Sequence, residues 1–140
     1  MTYIIYIVVG ILLLIMSVQD IKERSISNRY IAMLAAVCAV GGFLNAEQAW
    51  MEMLSGCSIG LCLMGVSVLT QEQIGAGDGL VVAALGLLTG AIKALTILSI
   101  ASLIMAGVSI LLISIRKGTR KMKLPFVPAI SVGYVICICI

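Results

Sequence analysis

Two residues of this chain have the chemistry of a proton-sharing pair. Asp20 and Asp78 are the only aspartates among its 140 residues. Asp20 stands in SVQDIKERSISN, where an apolar run gives way to charge, and Asp78 stands in QIGAGDGLVVAALG, where a glycine cluster opens another apolar run. Two carboxylates in a partly dry site cannot both ionise easily, so the pair tends to share one proton. The ionised member can take a proton from water, while the protonated member donates to a peptide carbonyl or leaving nitrogen. That is aspartic-protease chemistry, and it needs no metal, cofactor or covalent intermediate. Gly75, Gly77 and Gly79 flank the second acid. Glycine reaches backbone angles that other residues avoid and has no side chain to block an approaching peptide.

The remaining composition narrows the choice. There is no histidine, which removes histidine-based triads, general bases and metal sites. Cys38, Cys57, Cys62, Cys137 and Cys139 form no C-x-x-C spacing and read as small apolar packing residues. No metal, cofactor or nucleic-acid partner is expected.

The elements that position the two acids follow from hydropathy. Hydrophobic residues make up 62% of the chain and charged residues 11%, with a mean hydropathy of +1.24. A soluble domain carries roughly 25% charge and 45–50% apolar residues, so this chain reads as all-α: one integral membrane domain over residues 1–140. The apolar stretches are Thr2–Gln19, Tyr30–Ala46, Met53–Gln71, Gly79–Ile92, Ala94–Ile115 and Leu124–Ile140. The first has no basic leader and no small-residue cleavage site, and is expected to be a retained span. The fourth has only 14 residues, about 21 Å of helix.

Basic residues orient these stretches. With six crossings and a cytoplasmic first loop, Lys22, Arg24, Arg29, Arg116, Lys117, Arg120, Lys121 and Lys123 fall inside and only Lys93 outside. If the fourth stretch turned back, the split would be four inside and five outside. The positive-inside rule favours six crossings with both termini extracytoplasmic. The basic run 116–123 is then an orienting, headgroup-meeting loop. Asp20 and Asp78, distant in sequence, fall at the same cytoplasmic membrane boundary. Gly56 with Gly60, and Gly86 with Gly90, form small-xxx-small pairs that let helix backbones approach in lipid; they do not specify an oligomeric state.

Three segments, in this order and spacing, resemble the type IV prepilin peptidases: DIKERSISN (20–28), GAGD (75–78) and LPFVPAI (124–130). These are polytopic membrane proteases with a G-x-G-D motif, and the similarity runs across almost the whole chain. The family's first aspartate, followed by a basic stretch and an I-P-N-like tripeptide, falls on Asp20 and Ile26–Asn28, which brings Asn28 into the candidate site. Its second aspartate falls on Asp78, and its late P-F-G-P-like segment on Pro125–Pro128. The resemblance implies removal of a short basic leader from prepilins, pseudopilins or archaeal preflagellins, typically after glycine, at the cytoplasmic face of a bacterial or archaeal cell membrane. Ser27, Val127 and Gly79-Leu80 depart from the family pattern, and none of these changes removes an acid. The first loop is about ten residues, cysteine-free and too short for the insertion of larger members, so no methyltransferase activity is expected.

Three other readings fit parts of this pattern. A presenilin-like G-x-G-D protease pairs its motif with a tyrosine-aspartate and a later P-A-L; here Asp20 follows Gln19, and P-A-L is missing. A small proton-coupled transporter places its acids near the midplane and often shows inverted repeats. A non-catalytic membrane subunit of a pilus or secretion machine requires neither aspartate.

Overall fold

The computed structural model describes residues 2–23, 27–45, 50–69, 76–115 and 124–140. They form five helices: α1 (Thr2–Glu23), α2 (Asn28–Leu44), α3 (Trp50–Leu69), α4 (Ala76–Ser114) and α5 (Val127–Cys139). Three of them contain stretches long and apolar enough to cross a membrane, Tyr3–Glu23, Trp50–Leu69 and Gly77–Ser114, while α2 and α5 are shorter apolar helices. Their outer faces are apolar as well. On α1, Ile4, Ile7, Ile11, Leu14, Val18 and Ile21 are all exposed. Water would not tolerate such a stripe at this scale, whereas lipid tails match it. The chain is a membrane protein by this criterion.

α4 joins two of the stretches that the sequence separates. Its 39 residues would reach about 58 Å as a straight rod, nearly twice the roughly 30 Å of hydrocarbon. It is not straight. Gly90 interrupts it with φ 80 and ψ 174, a conformation essentially confined to glycine. The sequence places this break at the charge, Lys93. The structure places it three residues earlier, because lysine is a good helix former and only a glycine adopts those angles without strain. Gly90 thus makes the turn, where its spacing from Gly86 suggested helix packing.

The packing partners give the direction of each segment. A side chain added at Gly41 of α2 would lie 2.6 Å from Leu88 and 2.7 Å from Ile5, so the end of α2, the start of α1 and the end of the first arm of α4 share a level. Gly42 meets Met53 near the start of α3. From there α3 and the first arm run antiparallel with backbones in contact: Gly56 on Gly86, Gly60 on Ala83 and Met64 on Gly79. Beyond Gly90 the second arm runs antiparallel to α5, with Gly133 against Ile97 and the Cys137 thiol facing the Lys93 carbonyl at 4.0 Å. α5 in turn runs antiparallel to α1, tied by the Tyr134 hydroxyl donating to the Tyr6 carbonyl at 3.1 Å. Six helical segments therefore alternate in direction, and the two ends of the chain lie at one end of the bundle.

One apolar cluster holds the segments together. Val9, Leu13 and Met16 of α1 meet Leu34 and Cys38 of α2, Val81, Leu85 and Leu88 of α4, and Ile130 and Tyr134 of α5. Cys38 is fully buried there, in the packing role the sequence suggested.

Candidate active site

Asp20 is the last member of the buried stripe of α1. Val9, Leu13, Met16 and Ser17 are buried on the face toward the bundle, and Asp20 continues it with only 7% of its surface exposed. The spacing of three to four residues is that of one helix face. The helix runs to Glu23, so Asp20 lies within its last turn, although the apolar stretch ends at Gln19. A carboxylate is thereby turned inward where the neighbouring Ile21, Lys22 and Glu23 are exposed.

Asp78 repeats this construction from the opposite direction. It is half-buried in the first turn of α4, one turn before the fully buried pair Val81 and Val82, and Leu85 and Leu88 continue inward beyond them. An acid in a first helical turn also meets the unpaired amides and positive dipole end of the helix. Gly79 beside Asp78 packs on Met64 near the end of α3, the same end of the bundle at which α5 begins against Asp20. The chain's only aspartates thus lie at one end of the bundle, opposite Thr2 and Ile140.

A third element reaches the pair. The backbone N–H of Val127, in the first turn of α5, donates to Asp20 Oδ2 at 3.4 Å, and the Phe126 amide also faces this carboxylate. Phe126 caps α5, and Pro128 stands in the first turn. A helix start leaves its first amides without intrahelical partners. Proline removes one of those donors, and Asp20 accepts from those before it. The sequence marks Pro125–Pro128 as a motif but gives no hint that its backbone holds Asp20. The signal is long-range: the two residues are 107 positions apart.

The glycines divide. Gly75 lies outside the described residues. Gly77 is helical and half-buried. Gly79 is buried in α4, and a side chain there would lie 3.0 Å from the Met64 amide nitrogen. The expectation that Gly79 leaves space for a peptide gives way to a different role, since backbone of α3 occupies that space and brings α3 against the base of Asp78. Asn28 is exposed at the start of α2. Among the other acids, Glu23 and Glu52 are exposed; Glu47, Glu72 and the basic run 116–123 lie outside the described residues. No group of three or more metal-ligating side chains occurs among the described residues.

Two carboxylates, one of them accepting from a backbone amide, at one end of an apolar bundle have the chemistry of general acids and bases. The type IV leader peptidase family matches residues 7–110. The chain belongs to that family. Leader peptidases are proteases, and the matched region includes both aspartates and runs into the second arm of α4. It stops short of α5, so the contact between α5 and Asp20 stands on the structure alone. No curated protein and no solved structure matches the chain.

Proposed function

We propose that the protein is a membrane aspartic endopeptidase that removes the short basic leader of a type IV prepilin, pseudopilin or archaeal preflagellin. Asp20 and Asp78 are its catalytic pair, acting at the cytoplasmic face of the cell membrane. The observation that carries this reading is the placement of the only two aspartates, at the end of the first helix and the start of the fourth, at one end of the bundle in a member of a leader-peptidase family.

The mechanism follows from the shared proton. The ionised carboxylate takes a proton from water as the water oxygen bonds to the scissile carbonyl carbon. The protonated carboxyl gives its proton to the carbonyl oxygen. In the second half the proton gained from water passes to the leaving nitrogen, the C–N bond breaks, and the carbonyl reforms by returning its proton to the pair. The Val127 amide fixes the direction of the Asp20 oxygens, which is the positioning that such proton transfers require.

Orientation follows from charge. Lys22 and Arg29 flank the aspartate end, while Lys93 lies at the other. The helix ends that the basic run 116–123 connects, at 115 and 124, also belong to the aspartate end. The positive-inside rule then faces the pair toward the cytoplasm, with six crossings and both termini outside. A pilin whose leader is basic and whose next segment is an apolar helix would present its scissile bond at that depth.

The test is cleavage of a leader-bearing pilin by the full chain in proteoliposomes, with Asp20→Asn and Asp78→Asn beside the wild type. The reading requires cleavage by the wild type and its loss in both variants at unchanged protein level. Cleavage by either variant near the wild-type rate would refute it.

A further inference from the structure

The end of the bundle away from the aspartates contains a feature that proteolysis does not use. A cavity of about 430 Å³ opens between α1, the second arm of α4 and α5. Its wall is mostly apolar, lined by Gly10, Ile97, Tyr3, Tyr6 and Tyr134, and Lys93 reaches it from just beyond the Gly90 break. Among the described residues no aspartate or glutamate lines it. Lys93 is also the one basic residue that the favoured topology leaves on the outer side. A lysine there runs against the orientation signal.

We propose that this cavity binds one anionic phospholipid, its phosphate on the Lys93 ammonium and one acyl chain along the wall formed by Gly10, Ile97 and Tyr134. Charge decides the headgroup: among the described lining residues Lys93 is the one cation and there is no acid. Size decides the rest. A volume of 430 Å³ is within the range of about 300–1,000 Å³ for small-molecule sites. A peptide helix some 10–12 Å across would fill roughly 400–600 Å³ with one turn, so the cavity suits a flexible chain better than a substrate helix. Tyr3 is exposed and Tyr6 half-buried beside it, as suits the membrane–water interface, where amphipathic rings collect. The walls are fixed: the Tyr134 hydroxyl is bonded to α1 through Tyr6, and Cys137 faces Lys93 across α5 and α4. A bound lipid would therefore bridge the first helix, the last helix and the turn at Gly90.

The experiment is native mass spectrometry of the full-length protein released from detergent, with phosphatidylglycerol or phosphatidylcholine of identical chains. Wild type should retain phosphatidylglycerol about fivefold more than phosphatidylcholine, the preference expected of one lysine at a headgroup. Lys93→Gln should erase that preference and Lys93→Arg should keep it. Gly10→Leu, which fills the wall without touching the charge, should weaken retention of both lipids. Asp78→Asn should bind lipid as the wild type does, so the result is independent of the protease reading. Equal retention of the two lipids by wild type, or an undiminished preference in Lys93→Gln, would overturn the proposal. So would displacement of bound phosphatidylglycerol by a pilin's apolar helix, which would give the cavity to substrate. Should Lys93→Gln fail to fold, the Lys93→Arg and Gly10→Leu arms decide alone.

Discussion

The two arms of α4 share a helix run and a composition but not an environment. The first arm, from Ala76 to the break, is packed on α3 at Gly56, Gly60 and Met64, and its Val81, Val82, Leu85 and Leu88 are buried. The second arm touches α5 early, at Ile97 and Ala101, and then leaves Leu103, Val108, Ile110, Leu111 and Ile113 exposed. Both are almost wholly apolar, so hydrophobicity does not separate them. Small residues do. In lipid there is no hydrophobic gain from bringing two apolar helices together, and close backbone contact supplies the attraction. The arm that has this contact carries Asp78, and the proton transfer proposed for it needs such rigid support.

The largest effect expected from testing this contrast is chemical. Asp78→Asn should leave the first arm packed and lower cleavage by at least about 10²–10⁴-fold, the range for a lost general acid or base; Asp20→Asn should do the same. Rates of leader removal in proteoliposomes, with protein level checked by immunoblot, measure it. An effect on protein level in place of rate would mean that Asp78 supports packing.

Next comes the seam. A side chain at Gly56 would run into the Gly86 carbonyl, whereas a side chain at Gly107 meets nothing within 4 Å. Gly56→Leu should therefore destabilise the protein by about 1–3 kcal/mol or more, as overpacked cores do. Gly107→Leu should stay within about 0.5 kcal/mol, as surface changes do. Thermal unfolding of the two variants in one detergent reads the difference. Equal melting of both would dissolve the distinction between the arms.

The turn itself should matter less. Gly90→Ala forces a side chain onto φ 80 and ψ 174, a strain of about 1–3 kcal/mol, which would appear as a lower melting temperature. The smallest change is Tyr134→Phe. It removes one hydrogen bond to Tyr6, a net loss of about 0.5–1.5 kcal/mol in the same melt, with cleavage unaffected because the bond lies at the far end.

Several of these contacts were legible in the sequence and others were not, for physical reasons. That Asp20 and Asp78 fall at one end of the bundle was readable because charges end apolar runs. The small pair Gly56 and Gly60 was readable because spacing of four puts two glycines on one face. The turn was misplaced at Lys93, since charge is a conspicuous mark and backbone strain at Gly90 is not. Gly79 was misread as space for a peptide because a sequence shows a missing side chain without showing what fills the gap. Which face of α1 turns inward could not be read from hydropathy, as both faces are apolar; Asp20 itself was the best indicator. The bond from Val127 to Asp20 left no local trace, since it depends on two helices meeting that are remote in the chain.

That bond has a consequence for how the protein is made. Membrane helices emerge in order, and the amide that holds Asp20 belongs to the last of the five. Between the emergence of Asp78 and that of Val127 the ribosome adds roughly fifty residues, which takes about 2–10 s at typical synthesis rates. During that interval both acids exist in the nascent chain, but Asp20 has no amide to fix it. The site is completed only when the final helix has been synthesised and has folded back against the first.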